Sequence, residues 1–206
     1  MYNISIFNQC NEQNHKMTKN TDTDDTNDNK NQKIATLAGG CFWCIEGAFS
    51  QVKGILSATS GYMGGHSSNP SYEEICTGAS GHAEVVQLSF DPAVISYQQI
   101  LEIFFTLHDP TQLNRQGNDI GSQYRSAIFY HDENQQGIAI KIVKEMTESE
   151  MFAQAIVTQL CAVDTFYSGE DYHQDYFINN PENQYCQAVV SPKLAKFRQT
   201  FIDKLK

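Results

Sequence analysis

The chain has 206 residues, of which 40% are hydrophobic and 11% aromatic, enough for one domain with a substantial core. Asp and Glu total 24 against 14 Lys and Arg, a formal net charge of −10. Such a surface repels phosphates, which argues against nucleic-acid binding. No run approaches the apolar length of a membrane span, and MYNISIFNQC is too polar for the core of a secretory signal. A cytoplasmic protein is expected.

Residues 1–33 are dominated by Asn, Asp, Thr, Gln and Lys without hydrophobic periodicity, and are expected to be disordered. Cys10 falls there and is given no role. The domain is expected over residues 34–206. Ile34–Ala38 reads as a strand ended by Gly39-Gly40, and Phe42–Ser50 as a short helix. Ile55–Tyr62 and Glu84–Phe90 read as strands, the second closed by Asp91-Pro92. Ser96 caps a helix running to about His108. Tyr124–Tyr130 is another strand, Glu133–Glu150 the longest helix, and Ala155–Val163 fits either a strand or a helix. Beyond Asp164 the chain turns loop-rich, with Asn179-Asn180-Pro181 as a breaker. The order predicts an α+β, two-layer sandwich: a small mixed sheet packed with helices, and a long irregular C-terminal segment.

Six cysteines in a chain with an ample core and no visible export signal read as reduced thiols rather than a disulfide framework. The sharpest local feature is Gly39-Gly40-Cys41-Phe42-Trp43-Cys44. A thiol after a glycine turn, at the first turn of a helix, meets free N–H groups and the positive end of the helix dipole, which favour thiolate. C-x-x-C alone leaves several readings open. They are a thioredoxin-like pair, half of a zinc site, a nucleophile with an incidental neighbour, and two packed core cysteines. Zinc would need two further ligands, yet Cys76, Cys161 and Cys186 stand apart and the histidines sit in segments that look structural.

The rest of the chain supplies more. Gly61-Tyr62-Met63-Gly64-Gly65 is followed by Asn69-Pro70-Ser71-Tyr72-Glu73-Glu74-Ile75-Cys76-Thr77-Gly78 and by Gly81-His82-Ala83-Glu84-Val85-Val86. Then come His108-Asp109-Pro110-Thr111, Asn114-Arg115-Gln116-Gly117-Asn118-Asp119, Gly121-Ser122-Gln123-Tyr124-Arg125-Ser126 and Glu170-Asp171-Tyr172-His173-Gln174-Asp175-Tyr176. With Gly40-Cys41-Phe42-Trp43-Cys44, and in this order, these blocks resemble the peptide methionine sulfoxide reductase A family over about residues 34–197.

The resemblance implies reduction of the S epimer of methionine sulfoxide, free or in proteins, without cofactor or metal. Cys41 would attack the sulfoxide sulfur and be left as a sulfenic acid, the reversible first step of cysteine oxidation. Glu84 would be the acid that protonates the departing oxygen, its pKa raised on an apolar strand. Tyr62 and Tyr124 would bind that oxygen, and Asp119 would be a buried aspartate near the thiol. Phe42, Trp43 and Tyr62 would cage the substrate methyl. His108, Arg115, His173 and Tyr176 are expected to order loops, and Cys76 and Cys161 to lie in the core. Cys186 would supply the resolving thiol, and thioredoxin would reduce the resulting disulfide. Residues 187–206 contain no cysteine, so a second relay through the tail is not expected. Cys44 is expected to point into packing with a raised pKa.

A tail with so little to bury should be dispensable. Deleting residues 1–33 is expected to leave the melting temperature and catalytic rate close to full-length values. A large loss in either would show that the tail docks on the domain.

Overall fold

The computed structural model describes residues 32–206; the polar tail expected to be disordered, Cys10 included, lies outside the described residues except for Gln32 and Lys33. The chain opens with strand β1 (Lys33–Gly39), helix α1 (Phe42–Phe49), strand β2 (Ile55–Met63) and helix α2 (Tyr72–Thr77). Strand β3 (Ala83–Phe90), helix α3 (Tyr97–Leu107) and a hairpin of two short strands, β4 (Arg115–Gln116) and β5 (Asp119–Ile120), follow. Then come β6 (Ser126–Tyr130), α4 (Glu133–Glu148), β7 (Gln159–Ala162) and β8 (Tyr167–Ser168). Two further helices close the chain: α5 (Tyr176–Asn179) and α6 (Ser191–Thr200).

Six strands form one sheet in the order β7-β6-β1-β3-β2-β8. All neighbours are antiparallel except β6 and β7, which run parallel across the α4 crossover. Strand alternation divides the core. Ala35, Leu37, Val86, Leu88 and Ile128 face the helices, while Ala38, Ala83, Val85, Ala127 and Phe129 form a smaller cluster with Met63 and Cys161 on the other face. The α+β, two-layer reading holds. Among the described residues no helix is long and apolar enough to cross a membrane.

Besides the single turn of α5, two helices are not marked in the sequence. The first is α2, whose Ser71 hydroxyl accepts from the Glu74 N–H while the Glu74 carboxylate accepts from the Ser71 N–H. The second is α6, which breaks the irregular C-terminal stretch and starts with a proline in its first turn. The ambiguous Ala155–Val163 resolves as strand at Gln159–Ala162. The strand expected from Tyr124 begins at Ser126, after a 3-10 turn at Ser122–Tyr124.

Cys76 corrects the expectation that it is core. It lies on α2, which buries only Ile75, and the thiol side is exposed. Cys161 is buried, as expected.

Edge strand β8 matters to the site because residues 170–176, hereafter the strap, follow it directly. It pairs Gly61 with Ser168 and Tyr62 with Tyr167. A Cβ on Gly61 would run into the Tyr167 carbonyl and the Phe166 ring. Gly61→Ala is therefore expected to destabilise the fold by about 1–3 kcal/mol, read as a lower denaturation midpoint. An unchanged midpoint would show that β8 is free to move away.

Candidate active site

The site grows from the turn between β1 and α1. Gly40 adopts φ +93°, and a Cβ there would collide with the buried side chain of Gln116. Glycine is thus needed twice, for its backbone and for the close approach. Gln116 in turn clamps the preceding loop, accepting from Asp109 N–H at 3.1 Å and donating to the Asp109 carbonyl at 3.0 Å. This turn sets Cys41 at the N-cap of α1, where its side chain caps nothing.

Cys41 is 7% exposed. Burial pushes its thiol well above the ordinary range, and the neighbouring Cys44 thiol adds to this. The Tyr185 hydroxyl and the Trp43 N–H pull the other way but lose. The sequence suggested a lowered value from the helix terminus; desolvation outweighs the dipole here. Cys44 also departs from expectation. It is buried, but its thiol is lowered by the hydrogen bond from Cys41 against the cost of burial, with Lys193 helping.

Glu84 lies on β3 on the same face as Val86 and Leu88, toward α1. It is 1% exposed, and its Oε2 accepts from the Phe42 N–H at 3.0 Å. Burial pushes the carboxyl well above the usual carboxylate range, and the charges of Cys41 and Asp119 reinforce it; the Phe42 hydrogen bond opposes. Asp119 is half-buried rather than buried, and accepts from the Tyr185 hydroxyl at 2.7 Å. Tyr185 also adjoins Cys41, so it lies between the thiol and the carboxylate.

The tyrosines require a correction. Tyr62 pairs directly with Glu84 across β2 and β3, but it is fully buried and its hydroxyl donates to Glu170 Oε2 at 2.8 Å. Its ring packs 5.9 Å from Phe42. Tyr62 therefore supports the pocket from behind and does not offer a hydroxyl or a ring face to a ligand. Tyr72, not singled out in the sequence, also lies near Glu84. It is half-buried at the start of α2, and burial, then the charge of Glu84, raises its hydroxyl. Tyr124 is half-buried and raised by burial and by the charges of Glu84, Cys41 and Asp119. The charge of Glu84 thus reaches Tyr72 and Tyr124, both half-buried, as it reaches the buried Tyr62.

The apolar side is built by Phe42 and Trp43, ring centroids 6.1 Å apart. Trp43 stacks on Tyr176 at 3.7 Å and 6°, and its indole N–H donates to His173 Nδ1 at 3.2 Å. His173 packs 5.0 Å from Phe42 and 4.4 Å from Tyr72. Glu170 holds Tyr62 through one oxygen and accepts the Tyr72 N–H through the other at 2.8 Å. The loop-ordering roles expected for His173 and Tyr176 thus extend to fixing Trp43, whereas His108 is tied to Phe104 and Ser126 in the core. Arg115 is exposed and bonds the Gly117 carbonyl within its own hairpin.

Cys186 is fully buried and begins a π-helical turn, Cys186–Val190, that runs into α6. Burial and the charge of Cys41 raise its thiol. Among the described residues no group of three or more His, Cys, Asp and Glu could hold a metal ion.

A buried thiol and a buried carboxyl beside two tyrosines and an aromatic wall define a thiol-based reductive site for a small polar group carried on an apolar arm. The family model for peptide methionine sulfoxide reductase matches residues 33–205. A peptide methionine sulfoxide reductase MsrA from Polynucleobacter asymbioticus is 54% identical over 167 residues, spanning 81% of this chain and 88% of its own. Mxr1 from Saccharomyces cerevisiae in reduced form aligns with a TM-score of 0.70 at 34% identity, covering 78% of this chain and 92% of that one. Mxr1 in complex with Trx2 aligns with a TM-score of 0.50 at 25% identity, covering 73% and 88%. The chain belongs to the peptide methionine sulfoxide reductase family.

Proposed function

We propose that residues 34–206 form a catalytic domain in the cytoplasm that reduces the S epimer of methionine sulfoxide, free or in proteins, with thioredoxin as reductant. The observation that carries this is the convergence of Cys41 and Glu84 at the start of α1. A nucleophile and an acid are buried side by side there, within a chain of this family. The Trx2 complex of Mxr1 supports the choice of reductant.

The sulfoxide methyl packs against Phe42 and Trp43, and the oxygen is bound by Tyr72 and Tyr124. Cys41 sulfur attacks the sulfoxide sulfur. The S–O bond breaks as Glu84 delivers a proton to oxygen, which passes to Cys41 as sulfenic acid while the thioether leaves. The Cys41 proton replaces the one Glu84 gave. A second thiol then attacks the sulfenic sulfur and releases water. Burial serves this chemistry because a carboxyl kept protonated at neutral pH can donate, and because the oxygen is bound without competing water.

Two thiols neighbour Cys41, and the resolving role is assigned to Cys186. The contact between Cys41 and Cys44 favours Cys44 as the second reading. Cys186→Ser should complete one round of reduction, lose thioredoxin-driven turnover and leave a dimedone-reactive sulfenic acid at Cys41. A Cys41–Cys44 disulfide with free Cys186, found by peptide mapping of substrate-oxidised protein, would move the role to Cys44.

Turnover of methionine sulfoxide with dithiothreitol tests the whole reading. Cys41→Ser should abolish it with the fold intact, and residual activity near wild type would refute the nucleophile. Glu84→Gln should slow it by about 10²–10⁴-fold. Full rate in that variant would mean that another group supplies the proton.

The tyrosines give a separate comparison. Tyr72→Phe should reduce kcat/KM by about 10²–10³-fold, as expected when one donor to a developing charge is lost. Tyr62→Phe should act chiefly on stability, through the orphaned Glu170 oxygen. The reverse pattern would restore Tyr62 to the oxygen site.

A further inference from the structure

We infer that Glu46 is the positioning residue of the aromatic wall, anchoring the strap that presses Tyr176 against Trp43. Its effect on substrate binding rests on the methionine sulfoxide reading of the pocket; the anchoring itself does not.

Glu46 sits on α1, three residues beyond Trp43, and is 1% exposed. Its Oε1 accepts from the Asp175 N–H at 3.1 Å. Asp175 adopts a left-handed φ of 50°, a conformation an aspartate holds at some cost, and the next residue is Tyr176, stacked on Trp43. The strap is also tied to β2. Gln174 accepts from the Ser60 N–H and donates to the carbonyls of Ser60 and Gly169, each at 3.0 Å. Glu46 is therefore the one link from α1, the helix that carries Trp43, to the backbone immediately before Tyr176.

Two buried oxygens beside this link have no hydrogen-bond partner: Glu46 Oε2 and Ser60 Oγ. Orphaned buried oxygens of this kind are costly. One proton shared between Oε2 and Ser60 Oγ satisfies both, given by the carboxyl when it is protonated and by the hydroxyl when it is ionised, and leaves Oε1 to Asp175. The charged group facing Glu46 is Asp175 from the strap; β2 contributes only the Ser60 hydroxyl, and α6 directs Lys193 toward Cys44. Burial lifts the Glu46 carboxyl to about 7, with the Asp175 charge adding, and the N–H groups of Asp175 and Tyr176 and the Ser60 hydroxyl opposing. The folded value lies above that of the unfolded chain, so protonation favours the closed strap. That advantage is complete below the ordinary carboxyl range and is lost as pH rises through about 7.

Trp43 is the only tryptophan in the chain, so its emission reports the stack with Tyr176. In reduced, full-length protein, emission should change between about pH 6 and about pH 9 with a midpoint near neutrality. Burial lowers the His173 imidazole below its ordinary value, which moves its titration toward the acid side of this window. Glu46→Gln keeps an acceptor for Asp175 and offers an N–H to Ser60, so this variant should lose the transition while Glu84 is left as it was. Glu46→Ala removes the anchor. It should raise KM for methionine sulfoxide by about tenfold with kcat within about twofold, and Glu46→Gln should restore KM toward wild type. A merely structural role would lower kcat through a smaller active fraction and leave KM alone. Emission that is flat with pH in wild type, or the same transition surviving in Glu46→Gln, would overturn the assignment. If Glu46→Ala fails to fold, the titration of the Gln variant still decides. Absence of any turnover in wild type would remove the reductase reading while leaving the emission test standing.

Discussion

The hydrogen bond from the Phe42 N–H to Glu84 Oε2, 3.0 Å long, is the constraint on which the pocket depends. It joins the centre of the sheet to the first turn of α1, and so fixes the carboxyl relative to Cys41 on the adjoining residue. Backbone N–H groups at a helix start are unsatisfied by the helix itself. Spending one of them on Glu84 lets the carboxyl be buried without being orphaned. The Gly39-Gly40 turn, the Gln116 clamp and the β2–β3 register all serve to bring that one contact about.

Around this bond the pocket is kept poor in charge. Burial raises Cys41, Glu84, Tyr72 and Tyr124 alike, so the resting site favours protonated groups. For the proposed reaction this is an advantage on the oxygen side, where a proton donor is needed, and a cost on the sulfur side, where a thiolate is the better nucleophile. The Tyr185 hydroxyl, bound to Asp119 and adjoining Cys41, is the group that pulls the thiol back down. The strap supplies the other half of the architecture. Glu170 holds Tyr62 and Tyr72, His173 holds Trp43, and Tyr176 covers it, so one short segment sets both the polar and the apolar walls.

Much of this was legible before any coordinates. Ile34–Ala38, the Ser96 cap and the Glu133 helix follow from period and capping chemistry, and the Gly40-Cys41 turn announces a thiol at a helix start. The failures have physical causes. Tyr62 and Tyr72 both sit in motif blocks, and only tertiary structure shows that Glu170 occupies the first hydroxyl while the second lies near Glu84. The Ser71-x-x-Glu74 capping box was visible and would have placed Tyr72 on a helix beside the pocket. Cys41 looked activated because the helix dipole is a local property, whereas the desolvation that defeats it comes from residues distant in sequence. Tyr185 adjoined the singled-out Cys186, but its bond to Asp119 spans 66 positions. Glu46 and Glu84 are both single acids among apolar neighbours and both are 1% exposed, so their partners, not their burial, separate their roles.

The central claim is that burial keeps Glu84 protonated when the site is ready to act. It is tested most directly by titrating that carboxyl in reduced, substrate-free protein. Carbon NMR or infrared difference spectra against Glu84→Gln would isolate the signal. The account predicts a carboxyl that ionises well above the ordinary carboxylate range. A carboxyl that ionises within the ordinary range would contradict it.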